Sequence, residues 1–117
     1  MHMTQELRLI LEGDLNLTKL GSLNTVHNPK DVNHLERRQQ QRGISNPMIK
    51  VAIIYGERQF SHGALTFTIT DRKLKNTPYR RFIDALRGLR VVCLDGPPNP
   101  KIMTAYWHQK TKRRVHR

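Results

Sequence analysis

Apolar residues recur along this chain first with a helical spacing and then in alternation. Leu7, Ile10 and Leu11 fit one helical face from Glu6 to Leu11, and Gly13 is a stop. Residues 13–30 mix leucines with Gly, Asn, Ser and Thr and end at Asn28-Pro29, which predicts an irregular connection. Asp31 can cap a helix running to about Arg42, where Gly43 supplies a left-handed exit. Its only apolar side chains are Val32 and Leu35, so it buries a narrow stripe. A second helix follows, with Asn46 as cap, Pro47 at its first position and Gly56 at its exit. Met48, Ile49, Val51, Ala52, Ile53 and Ile54 surround most of that helix, which assigns it to the core.

Beyond Gly56 the alternation takes over. The segment from Glu57 to Ser61, the turn His62-Gly63 and the segment from Ala64 to Thr70 read as a hairpin, with Leu65, Phe67 and Ile69 on its buried face. Asp71 to Thr77 reads as a basic loop. Pro78 introduces a helix from about Tyr79 to Arg87, with Phe82, Ile83 and Leu86 inward and Gly88 at its end. Leu89 to Asp95, the turn Gly96-Pro97-Pro98-Asn99-Pro100 and Lys101 to Trp107 form a second hairpin. The pattern predicts an α+β fold: two leading helices, then a four-stranded antiparallel sheet with one helix between its two hairpins, and the helices on one side.

Charge changes this picture. Lys and Arg number 21 against 9 Asp and Glu, a formal charge of +12 with a pI of 10.7. Residues 1–30 hold three bases (Arg8, Lys19, Lys30) and three acids (Glu6, Glu12, Asp14), so the whole excess falls on residues 31–117. The chain therefore divides into a neutral, Leu-rich segment (1–30), an α+β domain (31–108) and a basic tail (109–117). Such a charge must also resist self-repulsion, which favours an anionic partner, and a pI this high marks nucleic-acid binders. Arg37, Arg80, Arg81, Lys110, Lys112, Arg113 and Arg114 are the side chains expected to meet phosphates. The tail reads equally as a solvated end or as an arm that orders on binding. Cys93 is the only cysteine, and no charged-then-apolar leader opens the sequence, so a cytoplasmic protein without disulfides is expected. The longest apolar run, Val51 to Ile54, is four residues, which argues against a membrane span.

Candidate chemistry concentrates in HLERRQQQRGI. Steps of four set His34, Arg38 and Arg42 along one helical stripe: an imidazole that exchanges protons near neutrality and two guanidiniums that grip phosphate bidentately. The same spacing also suits an exposed basic helix face. Cleavage of RNA by its own 2′-hydroxyl needs a base, an acid and cations around the crowded phosphorane, and no obligatory metal. His34 fits the proton transfer and Arg38 with Arg42 the charge stabilisation; Tyr106 or His108 would be the opposing group, although Tyr106 also fits as a packed sheet residue. No zinc-ligand spacing or phosphate-binding glycine loop is present, so no metal or cofactor is expected. Cys93, among Val91, Val92 and Leu94, reads as a buried hydrophobe.

His34, Arg38, Arg42-Gly43-Ile44, Tyr55-Gly56, LRGLRVVCLDG from Leu86 to Gly96, and Thr104-Ala105-Tyr106 follow one another in the order of the small bacterial domain-of-unknown-function family 4258, which this stretch resembles over about 60 % of the chain. Leu35 stands where that family has Ala after its His, and Trp107 where a basic residue commonly follows its last Tyr. The family looks like the RelE-ParE class of toxin folds, some of which cut RNA while others poison gyrase. The resemblance implies a toxin-like fold, an RNA or ribosomal target and an acidic antitoxin protein as partner. The expected function is a toxin-like RNA-binding protein, either a metal-independent or a ribosome-dependent ribonuclease with His34, Arg38, Arg42 and Tyr106 as its site. The alternatives are a non-catalytic nucleic-acid-binding module and an adaptor for an acidic protein.

Overall fold

The computed structural model describes residues 3–25 and 34–112, and it has the α+β architecture with its leading helices and antiparallel sheet. Helix α1 (Met3–Glu12) precedes α2 (His34–Arg42) and α3 (Asn46–Tyr55). Strands β2 (Glu57–Ser61) and β3 (Ala64–Thr68) form the first hairpin, β4 (Leu89–Asp95) and β5 (Lys101–Trp107) the second. With a short β1 (Asn24–Thr25), the sheet order is β1-β5-β4-β3-β2. At the first hairpin tip His62 (φ 53°) and Gly63 (φ 76°) are both left-handed, the turn geometry that matches the twist of paired strands.

Strand alternation sorts the sheet into two faces. Phe67, Val91 and Ala105 stand opposite one another in register and are buried against the helix layer. Helix α3 covers this face at β3 and β4, α1 packs on α3, and α2 lies along β5. Ser45 rather than Asn46 caps α3, one residue earlier than the sequence suggests; its N–H meets the Met48 sulfur at 3.3 Å.

Residues 13–25 are more ordered than their composition suggests. The Asp14 carboxylate accepts the Asn16 N–H at 2.9 Å and starts a 3₁₀ turn, Leu15–Lys19. Ser22 N–H then donates to Asn99 Oδ1 (3.1 Å) and Asn24 N–H to the Pro100 carbonyl (3.0 Å), which seats β1 parallel to the start of β5. Leu7, Leu11 and Leu20 are buried in the same core as α3 and the sheet.

A polar knot ties this segment down. The other Asp14 oxygen accepts the hydroxyls of Tyr55 (2.7 Å) and Tyr79 (2.9 Å), while the Asn16 amide donates to Tyr55 Oη at 3.0 Å. Burial pushes the Asp14 carboxyl upward, but the hydrogen bonds from Tyr55, the Asn16 backbone and Tyr79 outweigh it and hold its pKa below the usual value. Burial and the Asp14 charge raise the Tyr79 phenol in turn. Asp14→Ala strands the fully buried Tyr79 hydroxyl, so a loss of about 1–3 kcal/mol is expected in urea unfolding at pH 7. Because the folded pKa is the lower one, this stabilisation is present above the unfolded value near ~3.9 and fades as pH falls through the folded value. The gap between wild type and Asp14→Ala should therefore close on acidification; a constant gap would contradict the ionised bridge.

Two expectations need correction. The basic loop from Asp71 to Thr77 begins with a helical turn, α4 (Asp71–Leu74), because the Thr70 hydroxyl accepts the Lys73 N–H at 3.3 Å. The single helix from Tyr79 to Arg87 is instead a 3₁₀ turn, Arg80–Phe82, running into α5 (Ile83–Leu86). Arg80 and Phe82 donate to carbonyls three residues back, which keeps Tyr79, Phe82 and Leu86 on one inward face. Past Trp107 the chain makes one further turn, α6 (Gln109–Lys112), where the sequence suggested the basic tail.

Candidate nucleic-acid interface

The face of the sheet turned away from α3 carries Thr66 and Thr68 of β3, Arg90 and Val92 of β4, and Thr104 and Tyr106 of β5. Arg90 and Tyr106 stand directly opposite each other, both partly exposed. The Arg90 Nε donates to the Thr68 hydroxyl at 2.8 Å, which fixes the guanidinium across the strands. His108 follows β5; its N–H donates to the Gly88 carbonyl (2.7 Å) and its Nδ1 lies 2.7 Å from the Thr111 hydroxyl. Burial, then repulsion from Arg90 and Lys110, lowers the His108 pKa and favours the neutral ring.

Beside this corner opens a cleft of about 800 Å³. Arg72, Lys75 and Arg80 line it together with Arg87, Asp71, Glu57 and Thr111. Asp71 grips Arg87 bidentately (2.6 and 3.1 Å), and Asp84 adds a third contact at 3.0 Å. The hydrogen bonds to Asp71 raise the Arg87 pKa, and this cation braces the cleft wall. Arg72 is 4.0 Å from Glu57, a loose and exposed pair, and the side chains of Lys75 and Arg80 have no ion pair among the described residues. Thr111 both lines the cleft and meets His108, so cleft and sheet corner form one continuous surface.

The sequence-derived candidates distribute unevenly over this geometry. Arg42 Nη1 donates to the Ala105 carbonyl at 2.7 Å, and the Trp107 indole N–H donates back to the Arg42 carbonyl at 2.7 Å. This reciprocal pair stitches the end of α2 to β5 one residue from Tyr106. His34 and Arg38 lie on α2, and their side chains are outside the described residues. Arg80 lines the cleft and Lys110 is exposed beside His108. Arg81 instead pairs with Glu6 at 3.3 Å and lies over Phe82, 4.7 Å from the ring centroid. Lys112 sits 4.2 Å over the Trp107 ring. Arg37 is exposed on α2, and Arg113 and Arg114 lie outside the described residues.

Arg72, Lys75 and Arg90 escaped the sequence reading. For Arg90 a signal existed: it is the polar position of an alternating strand between Leu89 and Val91. Arg72 and Lys75 look like any loop cations until the fold folds them towards Arg80. Burial pushes the Cys93 thiol up to about 11, so it is a protonated core residue at neutral pH. Among the described residues no three His, Cys, Asp or Glu side chains converge as metal ligands, and no helix is long and apolar enough to cross a membrane. No protein-family model matches the chain, and neither does any curated protein or solved structure.

Proposed function

We propose that this chain is a toxin-like RNA-binding protein, which takes the phosphate backbone along the cleft and presents it to the Arg90–Tyr106–His108 corner. The observation that carries this reading is the continuity of the two: Arg72, Lys75 and Arg80 line the cleft, and Thr111, which also lines it, meets His108. Lys75 and Arg80, which have no ion pair among the described residues, and the loosely paired Arg72 are open to a ligand, whereas Arg81 and Arg87 are already committed. A net charge of +12 without a described reading helix favours sequence-tolerant contact with the backbone. The same reading places the protein in the cytoplasm, where ribosomal RNA is a target and an acidic antitoxin protein a natural partner.

Binding of a single-stranded RNA oligonucleotide should weaken steeply with salt, with a log–log slope of about −0.7 per phosphate neutralised. Arg80→Ala is expected to reduce that slope by about one such step, and Arg81→Ala to leave it nearly unchanged. A fluorescence-anisotropy titration at several salt concentrations measures both. Flat salt dependence, or equal effects of the two variants, would remove the cleft from the reading. A second reading, cleavage of the bound RNA, is favoured by the position of His108 beside Arg90, where burial and the neighbouring cations lower the imidazole pKa, which suits a proton acceptor next to a developing negative charge.

A further inference from the structure

On the helix side of the sheet lies a second concavity of about 360 Å³. Leu20, Ile53 and Phe67 form its floor, and Lys19 and Arg58 stand at its rim. Neither rim cation has a side-chain hydrogen bond or ion pair among the described residues, and none of the residues lining the pocket is acidic. The Asp14 carboxylate, which accepts hydrogen bonds from Tyr55, Tyr79 and the Asn16 N–H, makes no ion pair with either cation. An apolar floor with two unneutralised cations at its mouth is complementary to one kind of small molecule. The volume falls in the range of small-ligand pockets, about 300–1,000 Å³.

We propose that this pocket binds a small organic anion, an apolar body carrying one carboxylate, with the body on Leu20, Ile53 and Phe67 and the carboxylate between Lys19 and Arg58. Such a ligand joins three parts of the chain: Lys19 and Leu20 from the amino-terminal segment, Ile53 from α3, and Arg58 and Phe67 from the first hairpin. It would therefore stabilise the fold by mass action, since the unfolded chain has no such site.

The experiment is isothermal titration of the full chain with octanoate, acetate and octylammonium, in parallel with thermal unfolding. Octanoate is expected to bind one to one and to raise the unfolding midpoint, with acetate and octylammonium at least about tenfold weaker. Arg58→Glu should weaken octanoate by about tenfold or more, because a repulsive charge replaces an attractive one, while Arg8→Glu on the exposed face of α1 should not. Acetate binding as well as octanoate would show that the pocket floor contributes nothing and overturn the proposal. So would octylammonium matching octanoate, or Arg8→Glu matching Arg58→Glu, since either would reduce the effect to apolar sticking or to general surface charge.

Discussion

A chain lacking residues 1–25 is expected not to fold, although charge and composition set this stretch apart from the rest. Leu7 (0 % exposed), Leu11 (3 %) and Leu20 (9 %) lie in the common core. Each buried leucine contributes about 2–5 kcal/mol by truncation to alanine, and a domain of this size is stable by only about 5–15 kcal/mol. The deletion also strands Tyr79 and bares the edge of β5 where β1 sits. Circular dichroism and amide NMR dispersion of the truncated chain measure the outcome, and Leu7→Ala alone should cost about 2–5 kcal/mol in denaturant. A truncated protein with a cooperative transition near the wild-type midpoint would mean the segment is an appendage.

In RNA turnover, the largest loss is expected from removing an imidazole. Under the cleavage reading His108→Ala should reduce turnover by about 10²–10⁴ with little change in RNA affinity, because general base catalysis carries a factor of that size. Arg90→Ala should lower both, since its guanidinium faces the same corner and supplies charge to bound phosphate. The sign of the pH dependence follows from the direction of the His108 shift. A base whose pKa is lowered becomes neutral, and active, at lower pH than an ordinary histidine near ~6.5, so the rate should rise on the acid side and be flat by neutrality. The same assay, with and without ribosomes, tests His34→Ala, the candidate of the helical stripe. Equal turnover by wild type and both histidine variants would take proton transfer away from the imidazoles. Tight, salt-sensitive binding with no cleavage by the wild type would instead favour a non-catalytic module.

The architecture was legible in the sequence because its signals are local. Six apolar side chains around α3 can only be a core helix, and Leu65, Phe67 and Ile69 in alternation can only be one buried face. Residues 13–25 were not legible in the same way. Their order comes from long-range partners: Tyr55 and Tyr79 for Asp14, Asn99 and Pro100 for the backbone leading into β1. No period in the sequence reports a carboxylate satisfied by two phenols, one of them sixty-five positions away. For the site the limit was similar. A four-residue spacing places Arg42 on a stripe, but only the tertiary contact with the Ala105 carbonyl shows that its guanidinium tethers α2 to the sheet. Cleft cations such as Lys75, at the exit of α4, and Arg80, in the 3₁₀ turn before α5, stand on separate turns and line one cleft only in the folded chain.

The placement of β1 makes the two edges of the sheet unequal. Two residues laid parallel along the start of β5 occupy hydrogen-bonding groups that another strand would otherwise find there, whereas the outer edge of β2 pairs with no strand among the described residues. That remaining edge shows Phe60 at 72 % exposure, an invitation to pair, but Arg58 stands beside it on a molecule of charge +12. Two copies brought edge to edge would juxtapose like charges, which disfavours runaway stacking of this chain on itself. The apolar side chain at the open edge is thereby kept from self-templated growth by repulsion, and at the other edge the start of β5 is covered by the chain's own amino-terminal segment.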